Sequence, residues 1–342
     1  MTARALFSCL CSLTALGASL VGTPASAQVL LSVPAAAETE PVAAAGDVAI
    51  RVDPVDPAAS LVIGADRRTG LDVYDLAGNR TQHLERPGRA HGVDLRSGFP
   101  LGGRVVDLVA TGGRGVAFFT VSAEGRLVEV GARAFPGPFA EEGICLYRSD
   151  LSERFYAFTT EPDGVVTQWE LVDRAGLVDI RAVRRFDAGS AVDGCVADDE
   201  LGRLYVSEKQ AGIWEYGAEP QAWPAQRTPV DRVGSGHLTA GVGGLAIVGQ
   251  PGRRGYLLAS SMGDSTFAVY RRQTHAFVGR VQVVAGATAD GCSASQGIEA
   301  VAASLGRAFP YGIFVCGDAD NTAPGSAGNQ NFKYVRLERV LP

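Results

Sequence analysis

The stretch Ser190-Ala-Val-Asp-Gly-Cys-Val-Ala-Asp-Asp-Glu-Leu-Gly-Arg-Leu-Tyr-Val-Ser-Glu208 reads as strand, tight turn, strand. Asp193 stands directly before Gly194, and a short apolar strand follows from Cys195 to Ala197. Asp198, Asp199 and Gly202 supply the turn chemistry, and a second strand covers Leu204 to Ser207.

The unit recurs. Gly92-Val-Asp-Leu leads to Val105-Val-Asp-Leu-Val-Ala, Gly143-Ile-Cys-Leu-Tyr to Phe155-Tyr-Ala-Phe-Thr, and Gly244-Leu-Ala-Ile-Val to Gly255-Tyr-Leu-Leu-Ala-Ser-Ser261. Gly297-Ile-Glu-Ala-Val leads to Tyr311-Gly-Ile-Phe-Val-Cys316, and Val48-Ala-Ile-Arg-Val, without the glycine, leads to Ser60-Leu-Val-Ile-Gly-Ala65. Gly92, Gly143, Gly194, Gly244 and Gly297 stand 51, 51, 50 and 53 residues apart. A period of that length made only of strands marks propeller blades, and six units predict an all-β, six-bladed β-propeller. Helical periodicity is confined to Ser295 to Leu305.

Residues 1–27 read as a signal peptide: Arg4 is the only charge, Ala5 to Val21 is apolar and small, and Ala25-Ser26-Ala27 is an A-x-A site before Gln28. No second apolar run of spanning length follows, so the expectation is an exported, periplasmic or extracellular protein with no membrane span. Residues 28–46 are Ala-rich and read as a flexible leader, in which Val29-Leu-Leu-Ser-Val33 could add a strand to the last blade and close the ring. Residues 47–342 form the propeller domain.

The net charge of −6, or −7 without Arg4, argues against a nucleic-acid or anionic-membrane partner. Only Lys209 and Lys333 are lysines, so nearly all positive charge is arginine, which binds anions bidentately and never gives up its proton. Four cysteines follow the leader, Cys145, Cys195, Cys292 and Cys316, and allow three pairings or four buried thiols. Cys145 and Cys195 hold nearly equivalent places in consecutive repeats, and Cys292 and Cys316 bracket the last inner strands, so pairing within each couple is expected.

One residue precedes each inner strand: Asp47, His91, Glu142, Asp193, Gly243 and Gln296. Radial symmetry places all six on one rim of the central channel. Three converging carboxylates resist ionising together unless a cation joins them, and hard oxygen ligands favour Ca²⁺. Arg67-Arg68, near that rim, can hold an anion. No G-x-S-x-G motif supports serine catalysis.

Several strings resemble those of the β-propeller phytases, secreted calcium-dependent enzymes that release phosphate from inositol hexakisphosphate. They are Glu38-Thr-Glu-Pro-Val42, Gly70-Leu-Asp-Val-Tyr-Asp-Leu76, Val93-Asp-Leu-Arg96, Ala197-Asp-Asp-Glu200, His237-Leu-Thr-Ala240, Gly255 to Ser261, Pro310 to Val315, and Asn329-Gln-Asn-Phe-Lys333. The resemblance implies calcium at Asp47 and Asp193 and metal-binding roles for Glu40, Glu208 and Asp290. It sets Arg67 and Arg68 where the family has phosphate-binding lysines. Against it, Gly241 and Gly243 replace two acids, Met262 a metal-binding glutamine, Gln296 an aspartate, Pro162 a lysine and His91 an asparagine. Glu142 replaces a tyrosine and can restore one carboxylate. Calcium should therefore be fewer or weaker, and Gly241→Asp with Gly243→Glu is expected to strengthen it.

Two functions follow. One is a phosphomonoesterase, expected as a monomer, acting on inositol phosphates with Asp193 and Asp47 at the site and Arg67, Arg68, Arg114 or Lys333 on phosphate oxygens. The other is a non-catalytic exported propeller binding a phosphorylated ligand or a protein.

Overall fold

In the computed structural model, which describes residues 1, 30–85, 90–135, 143–223, 226–322 and 329–342, six small sheets stand in a ring. The signal-peptide reading lies outside the described residues, and among them no helix is long and apolar enough to cross a membrane. Blade one is Ala45–Arg51, Leu61–Asp66, Gly70–Tyr74 and Arg80–Glu85. Blade two runs from Ala90–Leu101 to Leu127–Glu129, blade three from Gly143–Arg148 to Leu177–Asp187, and blade four from Val192–Asp198 to Thr228–Arg232. Blade five runs from Val242–Gln250 to Phe277–Val284, and blade six contains Ile298–Val301, Ile313–Asp318 and Asn331–Arg336.

The supposed leader is the closure of the ring. Leu30–Pro34 pairs in parallel with Phe277–Val284 at the outer edge of blade five, and Ala37–Glu38 pairs antiparallel with Asn331–Arg336 as the fourth strand of blade six. Between them Ala35 N donates to Val284 O at 3.0 Å and Ala36 N to Tyr334 O at 2.8 Å. The expected extra strand thus lies on blade five rather than the last blade, because blade six has only three strands of its own and takes the next segment instead. The helical periodicity at Ser295 to Leu305 is overridden too: Ile298–Val301 is the inner strand of blade six.

The core is divided between neighbours. Six buried apolar clusters each join two adjacent blades, for instance Phe99, Leu108 and Phe118 with Ile144 and Phe155 between blades two and three. A sheet that is apolar on both faces can be buried only by stacking, which explains the ring. The glycine of each repeat is needed where inner strands converge on the axis. A Cβ on Gly92 would stand 2.6 Å from Ile144 N, and one on Gly297 would stand 2.3 Å from Asp47 Cα. Both expected disulfides form, Cys145–Cys195 between the inner strands of blades three and four, and Cys292–Cys316 within blade six.

Candidate functional site at the channel mouth

A β-bulge shapes the start of four inner strands. Register slips by one residue between Ala45 and Val48, Ala90 and Gly92, Val192 and Cys195, and Val242 and Leu245. A bulge inserts an unpaired residue and re-aims its side chain, here at the mouth of the channel. The registers also correct the sequence alignment of blade one. Ala45 is opposite Asp66 as Val192 is opposite Glu208, and Val48 opposite Gly64 as Cys195 is opposite Val206. Gly46 therefore occupies the place of Asp193, and Asp47 that of Gly194, one step farther into the channel.

That step fixes the chemistry of Asp47. Its pKa is raised well above the carboxylate range, first by burial and then by the nearby carboxylates of Glu299, Asp94 and Asp193, against the lowering effect of the Val48 N–H. Asp193 is buried, at 4% exposure. Its Oδ1 receives the Lys209 ammonium at 3.0 Å and the Gln296 amide at 3.3 Å, so blades four and six meet across the mouth. Beside them Arg67, Met262 and Gln296 line a cavity of about 190 Å³. The buried Nε of Arg67 has no hydrogen-bond partner among the described residues. Asp66 sets that hairpin, accepting from the backbone N–H of Ala43, Ala44 and Arg68 at 2.8, 3.2 and 2.9 Å. Arg68 and Arg114 are exposed.

The remaining expected site residues lie elsewhere or are already engaged. Glu208 accepts from Ser190 Oγ and Trp214 Nε1, both at 2.6 Å, with Arg227 at 3.5 Å. Glu40 is exposed and accepts from Arg80 N at 2.9 Å. Lys333 is fully buried: its ammonium meets Glu38 at 2.6 Å, Asp318 at 3.3 Å, and Asp290. Asp290 also accepts from Thr322 N and Oγ1 at 2.6 and 2.7 Å. Lys333 is a buried counter-ion, so the substrate role expected for it is withdrawn: no solvent-borne phosphate reaches it in this arrangement. Glu142 lies outside the described residues.

The described mouth does not match calcium's six to eight oxygens. Among the described residues no group of three or more His, Cys, Asp and Glu side chains is arranged to hold a metal. Asp193 already holds an ammonium, and the thioether of Met262 packs where oxygen donors are wanted: a Cβ on Gly243 would stand 3.0 Å from its Sδ. For the same reason Gly243→Glu is crowded, with Gln296 O also at 3.0 Å. Gly241 has φ of +89°, a left-handed conformation that strains aspartate, so the paired restoration of acids is not the simple gain the sequence implies.

Sequence reasoning missed Lys209. The signal available was scarcity, since only two lysines occur and both sit on carboxylates that the resemblance assigns to metal. Reasoning also missed the acids deeper in the channel. Glu299 faces a cavity of about 290 Å³ with Asp94, Arg96, Asp199 and Arg272. Burial first, and Asp94 second, push its pKa up to about 8 from 4.5. A folded-state pKa above the unfolded value means that this group favours folding fully at low pH and that its contribution is lost as pH rises from about 4.5 through 8. Glu299→Gln is expected to flatten the fall in melting temperature between pH 5 and 8. Above pH 8 it should be more stable than wild type by on the order of 1–2 kcal/mol, solvent at this half-buried site reducing the full effect. Melting curves across that range with equal slopes for both proteins would contradict it.

Comparison with known proteins places the ring in context. The family described as Phytase matches residues 2–341. The 3-phytase of Bacillus subtilis (strain 168) is 37% identical over 342 residues, covering 94% of this chain and 89% of that protein. Among solved structures, a chain from crystals of BBS1N in complex with ARL6DN, soaked with mercury, aligns at 10% identity with a TM-score of 0.45, over 83% of this chain and 77% of that one. That similarity is too low to carry an argument. The family match spans nearly every residue, and the six-sheet ring with its mouth of carboxylates and arginines accords with it: the chain belongs to the Phytase family.

Proposed function

We propose that the chain is a phosphoric monoester hydrolase of the 3-phytase type, releasing phosphate from inositol phosphates at the channel mouth. The observation that carries this reading is Arg67, a guanidinium lining a cavity beside Gln296 with a buried N–H that has no acceptor among the described residues. Phosphate oxygens are the acceptors that best match a guanidinium fork. The family and its 3-phytase member support the substrate class.

In this reading Arg67, helped by the exposed Arg68 and Arg114, holds phosphate and offsets charge that develops on its oxygens. Asp193, a carboxylate paired with Lys209, takes the proton of the attacking water. Asp47, whose raised pKa keeps its proton, gives it to the leaving inositol oxygen as the phosphorus–oxygen bond breaks. Water supplies the new oxygen, so the products are free phosphate and an inositol with one more hydroxyl. No step is routed through a metal. Calcium, which the resemblance implies, is expected to modulate this site weakly, since the described donors are too few for it. The signal-peptide pattern of residues 1–27 supports action outside the cytoplasm.

Arg67→Ala is expected to lower kcat/KM for inositol hexakisphosphate by about 10- to 100-fold, the range of a charge-assisted contact. Unchanged kinetics in a folded variant would remove Arg67 from the site.

A further inference from the structure

Only two lysines occur in the chain, and each lies on carboxylates. One of them, Lys209, belongs to the mouth. Its backbone is pinned between blades four and five: its N–H donates to Ala191 O at 2.9 Å, and its carbonyl accepts from Gly241 N and Val242 N at 2.8 and 3.0 Å. The carbonyl thereby holds the turn that carries Gly241. The side chain then crosses to Asp193 Oδ1 at 3.0 Å while remaining 31% exposed. The same oxygen receives Gln296, which lines the Arg67 cavity, so Lys209, Asp193, Gln296 and Arg67 are contiguous.

We propose that Lys209 is the resident cation of the mouth and a phosphate-binding residue, taking at Asp193 the place that a divalent ion would take. Four observations agree. The Lys209 side chain is partly exposed at the mouth, so its charge faces an incoming phosphate while it holds Asp193. Three neighbouring described positions bring no oxygen to a metal shell: Gly241 and Gly243 have no side-chain donors, and Met262 brings sulfur. The position is rigid because the backbone of Lys209 is bonded on both sides. A buried carboxylate so close to an incoming polyanion would repel it unless paired, and Lys209 supplies that pairing permanently. The consequence is an anion site in which binding does not wait for calcium.

The proposal rests on the phytase reading for its substrate class, and its test separates the two. Binding of myo-inositol hexakissulfate, a polyanion resistant to phosphate release, is measured calorimetrically on the full chain in chelator and in millimolar calcium. Wild type is expected to bind in chelator, with calcium changing its affinity by less than about threefold, since the cation at Asp193 is already present. Lys209→Met is expected to lose about tenfold or more in chelator, the effect of one charge-assisted contact, and to regain much of it with calcium. Lys209→Arg is expected to stay within about threefold of wild type, because charge is retained. A calcium isotherm should also show uptake by Lys209→Met at concentrations where wild type takes up less.

Wild type that binds the probe only with calcium would overturn the proposal, even if the methionine variant failed to fold. So would a folded Lys209→Met that binds as wild type does in chelator. Phosphate release from inositol hexakisphosphate is read separately. Probe binding as described without any release would sink the phytase reading and leave the cation assignment standing, and calcium-dependent release indifferent to Lys209 would do the reverse.

Discussion

Lys333→Met is expected to cost about 3–5 kcal/mol of folding stability, the range for removing one partner from a buried ion cluster. The ammonium is fully buried among Glu38, Asp290 and Asp318. Burial alone would lower its pKa, but Asp290, Glu38 and Asp318 outweigh burial and raise it, so the cation persists inside the protein. With it gone, three carboxylates face one another without compensation. Glu38 lies on Ala37–Glu38, the strand that completes blade six, so the same repulsion opens the closure of the ring. The melting temperature should fall by about 5–10 °C, given the entropy of unfolding for a chain of this size. Calcium should restore part of the loss by supplying positive charge where the ammonium has left. A variant melting within a degree of wild type would show that the cluster contributes nothing.

Asp193→Ala is expected to lower kcat for phosphate release by about 10³-fold, within the range for loss of a general base. The substitution removes the proton acceptor and also takes one carboxylate partner from Lys209, so its effects on KM and kcat diverge. Lys209 can then bind phosphate more tightly while the water is no longer activated, giving a lower kcat with an unchanged or reduced KM. Equal losses in binding and turnover would assign Asp193 to substrate positioning instead. Steady-state kinetics on a variant whose melting temperature is intact distinguishes these outcomes.

The scaffold was legible because its constraints are local and repeated. Glycines 50 to 53 residues apart report where inner strands must converge, and the equivalent places of Cys145 and Cys195 report their bond. Blade one was read one residue out of register, since Gly46 precedes Asp47 whereas Gly194 follows Asp193, and a bulge hides that exchange. The role of the leader was only half legible: an edge strand is chosen by which outer edge lacks a partner, a property of the assembled ring. The ionic roles of Lys209 and Lys333 left no trace in the sequence beyond the scarcity of lysine. Lys333 and Glu38 are 295 residues apart, and nothing in either neighbourhood announces the other. At the mouth, the repeat pattern pointed to three acids, an imidazole and an amide, and the cation arrived from the end of the second strand of the same blade, one residue beyond Glu208.

Phosphate release from inositol hexakisphosphate by purified residues 28–342, with chelator and with millimolar calcium, tests the central claim most directly. Release above the enzyme-free blank in both conditions, modestly greater with calcium, is the predicted result. No release in either condition would contradict it.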